Sequence, residues 1–156
     1  MKIIVITGAT SGLGKELVKV FSKAGYKVFA GYRNEHLIVQ MDNVEYFYID
    51  MTKRATISAA ANFIKSKVNK IDLLINAAGS VVAGPVEYLD IDKLKEQFEV
   101  NTFSHLEFSQ NLLSLLDGGR IINISSMSSF GHFPFISPYC CLLYTSDAAD
   151  ELDGVD

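Results

Sequence analysis

The sequence predicts a doubly wound α/β fold, in which helices cover both faces of a parallel sheet. Short, β-branched apolar segments typical of buried strands alternate with segments whose apolar residues recur at helical spacing. A glycine-rich turn joins the first of these strands to the first helix. With 156 residues, 49% of them hydrophobic, the chain is long enough for one domain with a single core.

The first strand and helix are joined by a turn that predicts a phosphate-binding site. The strand, residues 2–6, breaks at Gly8, and Gly8, Gly12 and Gly14 permit a tight turn and close approach of a ligand to bare backbone. Thr10 and Ser11 add hydroxyl groups. Because such a turn directs the free N–H groups and the positive end of the helix dipole outward, we expect it to bind phosphate.

The glycine spacing, G-x-x-x-G-x-G, matches neither the G-x-G-x-x-G fingerprint nor a Walker A loop. A Walker A loop would need Gly and Ser or Thr where the chain has Ala9 and Glu16, so ATP hydrolysis is disfavoured. The alternative is a turn that only joins strand to helix. Three glycines within seven residues cost backbone entropy that a plain connection does not need.

The remaining elements follow in order. We predict strands at 27–31, 44–49, 71–75 and 120–124, a helical stretch at 35–41, helices at 56–68 and 92–116, and a loop opening at 85–89. Parallel strands joined in this way give a sheet with helices on both faces.

Several of these segments resemble the short-chain dehydrogenase/reductase family. Residues 7–14, Thr-Gly-Ala-Thr-Ser-Gly-Leu-Gly, resemble its nucleotide-binding signature, and residues 76–79, Asn-Ala-Ala-Gly, resemble its N-A-G motif. Asn101 resembles the helix asparagine of the family, and Ser126 and Tyr139, thirteen residues apart, resemble its Ser and Tyr active-site pair. The motifs keep the family's order and spacing over residues 3–140.

The resemblance implies a Rossmann-like fold and an oxidoreductase that transfers hydride between a nicotinamide cofactor and a ketone or secondary alcohol. Ser126 would hold the carbonyl oxygen, Tyr139 would be the general acid/base and Asn101 would support the proton relay. The family has a Lys four residues after the Tyr, which lowers the pKa of the Tyr. Leu143 stands at that position here, so we expect this chain to be inactive.

The cofactor expected is NADP, with NAD as the alternative. Arg33 follows the second strand, where doubly wound folds bind the adenosine ribose, and no Asp or Glu occupies that strand end. Arg33 can pair with a 2′-phosphate, or it can be an ordinary surface residue. The family places Asp50 and Met51 against the adenine, although Asp50 could instead cap a helix. The full set of expected cofactor residues is Gly8, Thr10, Ser11, Gly12, Leu13, Gly14, Arg33, Asp50, Met51, Asn76, Ala77 and Gly79.

The end of the chain departs from the family. Residues 141–151 resemble the in-frame translation of a sequencing-library adapter, and residues 141–156 hold five acidic residues and no Lys or Arg. We therefore expect residues 1–140 to be an incomplete, C-terminally truncated NAD(P)-binding domain and residues 141–156 to be a non-native tail. The alternative is a natural, divergent C-terminus.

The composition and net charge of the chain limit the binding partners that we expect. A net charge of −4 gives no basis for nucleic-acid binding, and there is no apolar run of membrane-spanning length and no export signal. The two cysteines are adjacent and form no disulfide framework, which fits a cytoplasmic location. We expect a small-molecule substrate, no metal, nucleic acid or membrane partner, and a homo-oligomer for the intact enzyme, although the sequence leaves the oligomeric state open.

Two other functions remain open. A non-catalytic dinucleotide-binding or redox-sensing domain would suit the missing Lys if the tail were native. The glycine spacing disfavours the second hypothesis, nucleotide-sugar epimerase chemistry. The substrate is not identifiable from the sequence; the aromatic loop 130–139, with Phe133 and Phe135, could form an apolar substrate wall or simply pack.

Overall fold

The computed structural model describes the backbone of residues 1–131 and 133–150, with side chains as far as Leu143. Five parallel strands form one sheet in the order β3-β2-β1-β4-β5, which confirms the predicted doubly wound arrangement. The strands are β1 (Ile3–Ile6), β2 (Lys27–Tyr32), β3 (Val44–Tyr48), β4 (Leu73–Asn76) and β5 (Arg120–Asn123). The helices are α1 (Gly12–Lys23), α2 (Arg54–Lys67), α3 (Ile91–Phe98), α4 (Ser104–Leu112) and α5 (Ser137–Asp150).

The chain divides into two compact units. The sheet unit consists of Met1–Ala78 and Ser104–Ile124, and the helix unit consists of Gly79–Phe103 and the residues from Ser125 onward. Helix α5 runs continuously across Cys140, the boundary predicted between the native domain and the tail. That boundary stays a prediction.

The core of the sheet unit lies on both faces of the central strands. Alternate residues of β1 point to opposite faces, and Ile4 and Ile6 form one buried cluster with Val18 of α1. On the other face, Phe47 of β3 stacks against Phe108 of α4 with ring centroids 6.1 Å apart. Helices on both faces thus exclude water from β1, β2 and β4, whose apolar residues are mostly buried.

The strand order reverses between β1 and β4, because β2 and β3 lie on one side of β1 whereas β4 and β5 lie on the other. Connections leave the two strands in opposite directions at this point, which opens a crevice beyond their carboxyl ends. The glycine turn after β1 and the small residues after β4 both follow these strand ends. The fold therefore places two predicted cofactor segments at the crevice that doubly wound folds use for ligands.

Two expectations about the elements need correction. The helical stretch expected at 35–41 is only a 3₁₀ turn, Glu35–Leu37, because Asn34 caps it and Ile38 is already extended. The helix expected at 92–116 is divided into α3, a π-helical turn (Glu99–Phe103), α4 and a 3₁₀ turn (Leu113–Leu115).

Strand β5 lies at an edge of the sheet, since it is paired only with β4. Its residues Ile121 and Ile122 are 39% and 43% exposed. Within the described residues, no helix combines the length and the hydropathy needed to cross a bilayer.

Candidate cofactor and active site

The glycine turn has a backbone that only glycine adopts easily. Gly8 and Gly12 have φ angles of +63° and +47°, in the left-handed region. A Cβ on Gly14 would lie 2.3 Å from the carbonyl oxygen of Gly8, and one on Gly8 would lie 2.8 Å from the backbone of Ala78. The turn is therefore tightly packed against itself and against the segment after β4.

Helix α1 begins at this turn with unpaired N–H groups. Ser11 is the N-cap residue, but its side chain accepts no capping hydrogen bond. The first bond of the helix is from the Lys15 N–H to the Ser11 carbonyl (3.1 Å), so the N–H groups of Gly12, Leu13 and Gly14 have no partner within the helix. Together with the positive end of the helix dipole, these donors form a site that fits a phosphate group.

Thr7 and His105 fix the segment after β4. The Thr7 hydroxyl, which is fully buried, accepts hydrogen bonds from the N–H groups of Ala77 (3.0 Å) and Ala78 (3.1 Å). The His105 ring donates to the Ala78 carbonyl, and burial lowers the pKa of His105 to about 4, so the ring is neutral near pH 7. Sequence reasoning assigned no role to either residue, because the sequence alone does not show that the end of β1 and helix α4 both lie beside this segment.

Asn76 is buried rather than available to a ligand. Its side chain is 1% exposed, and its amide nitrogen donates to the Ser109 hydroxyl (3.1 Å) and to the Asn123 side-chain oxygen (2.8 Å). Asn76 therefore ties β4 to α4 and β5. Two other residues of the Asn-Ala-Ala-Gly segment, 76–79, are expected at the cofactor: Ala77 is half-buried and Gly79 is exposed.

Asp50 makes a local turn and does not cap helix α2. Its carboxylate accepts hydrogen bonds from the N–H (3.0 Å) and hydroxyl (2.8 Å) of Thr52, whereas the N-cap residue of α2 is Lys53. Burial raises the pKa of Asp50, but hydrogen bonds from Thr52 and Lys53 outweigh this effect and lower it overall. The neighbouring Met51 is buried, at 5% exposure.

Arg33 lines an open cavity of about 420 Å³ beyond the ends of β2 and β3. The other lining residues are Tyr32, Asn34, Glu35, His36 and Tyr48. The rings of Tyr32 and Tyr48 meet edge to face with centroids 5.8 Å apart. No ion pair of Arg33 occurs among the described residues, so its exposed guanidinium can bind an anion.

Ser126 and Tyr139 both belong to the helix unit. Ser126 is half-buried, accepts a hydrogen bond from the Ser128 N–H (3.2 Å) and donates to the Ser128 hydroxyl (3.3 Å). Tyr139 is half-buried in the first turn of α5, and α5 packs against the 3₁₀ turn Met127–Ser129. Leu143, one helical turn after Tyr139, is 5% exposed and carries no charge.

Asn101 lies in the π-helical turn and is engaged with the backbone of Ser80. Its side-chain oxygen accepts from the Ser80 N–H, and its side-chain nitrogen donates to the Ser80 carbonyl, both at 2.8 Å. The predicted role was support of a proton relay. What the structure shows is a positioning contact, which leaves one N–H and one oxygen lone pair of this amide for any relay.

The sequence model described as short chain dehydrogenase matches residues 2–142. The chain belongs to the short-chain dehydrogenase family. A relative in this family, "Probable short-chain type dehydrogenase/reductase VdlC" of Helicobacter pylori, is 35% identical over 149 residues, which cover 92% of this chain and 55% of that protein. The NADPH-dependent 3-dehydrocapnine reductase of Ornithobacterium rhinotracheale is 30% identical over 159 residues, which cover 89% of this chain and 54% of the reductase.

A crystal structure of a short-chain dehydrogenase from Streptomyces avermitilis has the same fold. It matches with a TM-score of 0.86 at 25% identity, over 97% of this chain and 61% of that one. The chain thus spans just over half the length of the two curated relatives described above.

Proposed function

We propose that the chain is the cofactor-binding part of an NADP-dependent oxidoreductase that interconverts ketones and secondary alcohols. The observation that carries the proposal is the start of α1, where three N–H groups lack helical partners beside a turn too tight for any residue but glycine. A pyrophosphate fits such donors. The family membership supports hydride transfer, and the Ornithobacterium relative is named as NADPH-dependent.

The residues present fit the two anionic parts of NADP. The turn, with the hydroxyls of Thr10 and Ser11, would bind the pyrophosphate, and Arg33 would bind the 2′-phosphate from the cavity that it lines. Asp50 and Met51 would lie against the adenine, and Ala77 and Gly79 would allow close approach. The role of Asn76 would be indirect, since its buried side chain holds the strands beneath this turn.

Three residues of the helix unit would contribute to the reaction. Bound NADPH would supply the hydride. The Ser126 hydroxyl would turn from Ser128 to hold the carbonyl oxygen, and Tyr139 would give a proton to the developing alkoxide. Asn101 would contribute by fixing the backbone of Ser80.

The non-catalytic alternative is not favoured, because the relatives described above are named as dehydrogenases or reductases. A small-molecule substrate agrees with the family. A cytoplasmic location, the absence of nucleic-acid partners and a homo-oligomeric intact enzyme stay predictions.

The glycine turn provides the test. Titration of the chain with NADPH, followed by nucleotide fluorescence, should show binding that Gly14→Val abolishes, because the valine would displace the Gly8 carbonyl. Since Gly14→Val could also impair folding, Gly12→Ala is the milder variant; its methyl group has no protein atom within 4 Å. Gly25→Ala is the matched control, because Gly25 also has a positive φ and open space but lies at the opposite end of α1. Equal affinity in all four proteins would refute the proposal.

A further inference from the structure

Residues 80–84 follow the predicted cofactor segment and have no regular secondary structure, yet alternate residues form hydrogen bonds with other residues of the helix unit. Asn101 binds the N–H and the carbonyl of Ser80 at 2.8 Å. The side-chain oxygen of Gln97 accepts from the Val82 N–H at 2.5 Å. The Gly84 N–H donates to the Phe135 carbonyl at 2.8 Å.

The exposure of the segment follows the same alternation. Val82 and Gly84 are half-buried, whereas Val81 and Ala83 are exposed, with Val81 at 53%. The segment therefore behaves as a strand that is paired with side chains and a carbonyl group instead of with a neighbouring strand. Its other face, which carries Val81 and Ala83, remains available for contact.

Gln97 is an unusual residue for the buried side of α3. It is the one buried side chain of that helix, and it is 0% exposed. Its amide nitrogen has no hydrogen-bond partner among the described residues. An unpaired buried donor is unfavourable, and methionine or leucine would fill the same space without it. The amide oxygen, which holds Val82, is what distinguishes Gln97 from those residues.

We propose that Gln97 is a positioning residue that fixes the register of residues 80–84 and thereby raises the affinity for the nicotinamide cofactor. The effect on cofactor affinity rests on the proposed function, whereas the hydrogen bond from Val82 to Gln97 does not. Without this bond the three residues between the Ser80 and Gly84 anchors gain conformational freedom. That freedom would have to be lost again when the cofactor binds.

Gln97→Met tests the role, because methionine matches glutamine in length, removes the acceptor and also removes the unpaired donor. Glu96→Met is the matched control, since Glu96 is exposed on the same helix. Gln97→Glu is the conservative variant, which keeps an acceptor for the Val82 N–H. Amide hydrogen exchange by NMR on the full chain reports Val82 directly, and Tm shows whether each variant is folded.

The expected result is that Gln97→Met speeds exchange at Val82 by about tenfold or more, the scale of one hydrogen bond. Gly84 should keep its protection, Gln97→Glu should restore that of Val82, and Glu96→Met should change neither. The affinity for NADPH should fall by about three- to tenfold in Gln97→Met alone. Unchanged exchange at Val82, or faster exchange with unchanged NADPH affinity, would overturn the inference. If the wild-type chain bound no NADPH, the proposed function would fail, while exchange at Val82 would still decide whether Gln97 fixes the segment.

Discussion

His105 is neutral in the folded chain, and its burial makes stability depend on pH. Its pKa is lowered from 6.5 to about 4, so the unfolded chain binds a proton below pH 6.5 while the folded chain does not. Stability should therefore fall as the pH drops from about 6.5 towards 4, by up to about 3 kcal/mol.

Urea unfolding at a series of pH values measures this loss. His105→Gln is the comparison, because glutamine can still donate to the Ala78 carbonyl but does not titrate. Each protein gives a curve of unfolding free energy against pH. Subtracting the His105→Gln curve from the wild-type curve removes the contribution of the carboxylates, which both proteins share. Parallel curves for the two proteins would mean that His105 does not titrate as the structure indicates.

Arg33 is expected to select between the two nicotinamide cofactors. Arg33→Ala should weaken NADPH binding by roughly ten- to a hundredfold, the effect of losing a charged, bidentate contact, and should change NADH binding much less. Calorimetric titration with each nucleotide measures the ratio. Arg120→Ala is the control, because Arg120 is also an exposed arginine of the sheet unit but begins β5. A parallel loss for both nucleotides would make Arg33 only a surface residue.

At the scale of elements, the Thr7 hydroxyl joins the end of β1 to the segment after β4. Thr7→Val keeps the shape of the side chain but leaves the N–H groups of Ala77 and Ala78 unpaired, so we expect a loss of about 2 kcal/mol in unfolding free energy. Thr7→Ser should retain most of the stability, since it keeps the acceptor. Chemical denaturation of the three proteins compares them, and equal stability for Thr7→Val would show that water satisfies these groups.

The elements that were predicted correctly have a strong local signal. Strands β1 and β2 are continuous apolar runs, and the glycine turn carries its conformation in its own residues. The π-helical turn at 99–103 could not be predicted, because apolar spacing looks similar across a π turn and a regular helix.

The parts of the site that were missed depend on contacts distant in sequence. Thr7 contacts residues 70 and 71 positions away, and Gln97 contacts Val82 from a different element. Family motifs made Ser126, Tyr139 and the turn candidates but did not show that Asn76 is buried.

For the whole molecule, we expect no measurable ketone turnover from the chain as it stands. In the sequence of the helix unit the only Lys and Arg residues are Lys93 and Lys95, both exposed on α3, and Leu143 is apolar. Without the Lys that the family has four residues after its Tyr, proton transfer loses a contribution of about 10² to 10⁴ in rate. NADPH oxidation with a panel of ketones measures this directly.

The comparison for turnover is a chain in which the residues after Cys140 are replaced by a family-like continuation with Lys at position 143. Turnover by the unmodified chain would contradict our interpretation of residues 141–156 as a non-native tail. Both proteins should be tested at low concentration, because the exposed β5 edge, with Ile121 and Ile122, favours association between copies.

The hydrogen bonds of Asn76 also restrict how this sequence can diverge over evolutionary time. The buried amide of Asn76 donates hydrogen bonds to the Ser109 hydroxyl on α4 and to the Asn123 amide on β5. A mutation at any one of these three residues therefore leaves a buried polar group unpaired. Replacing all three with apolar residues of matching shape would leave none of these groups unsatisfied. Related sequences should therefore keep all three polar residues or replace all three together. Few stable evolutionary intermediates would carry only one or two of them.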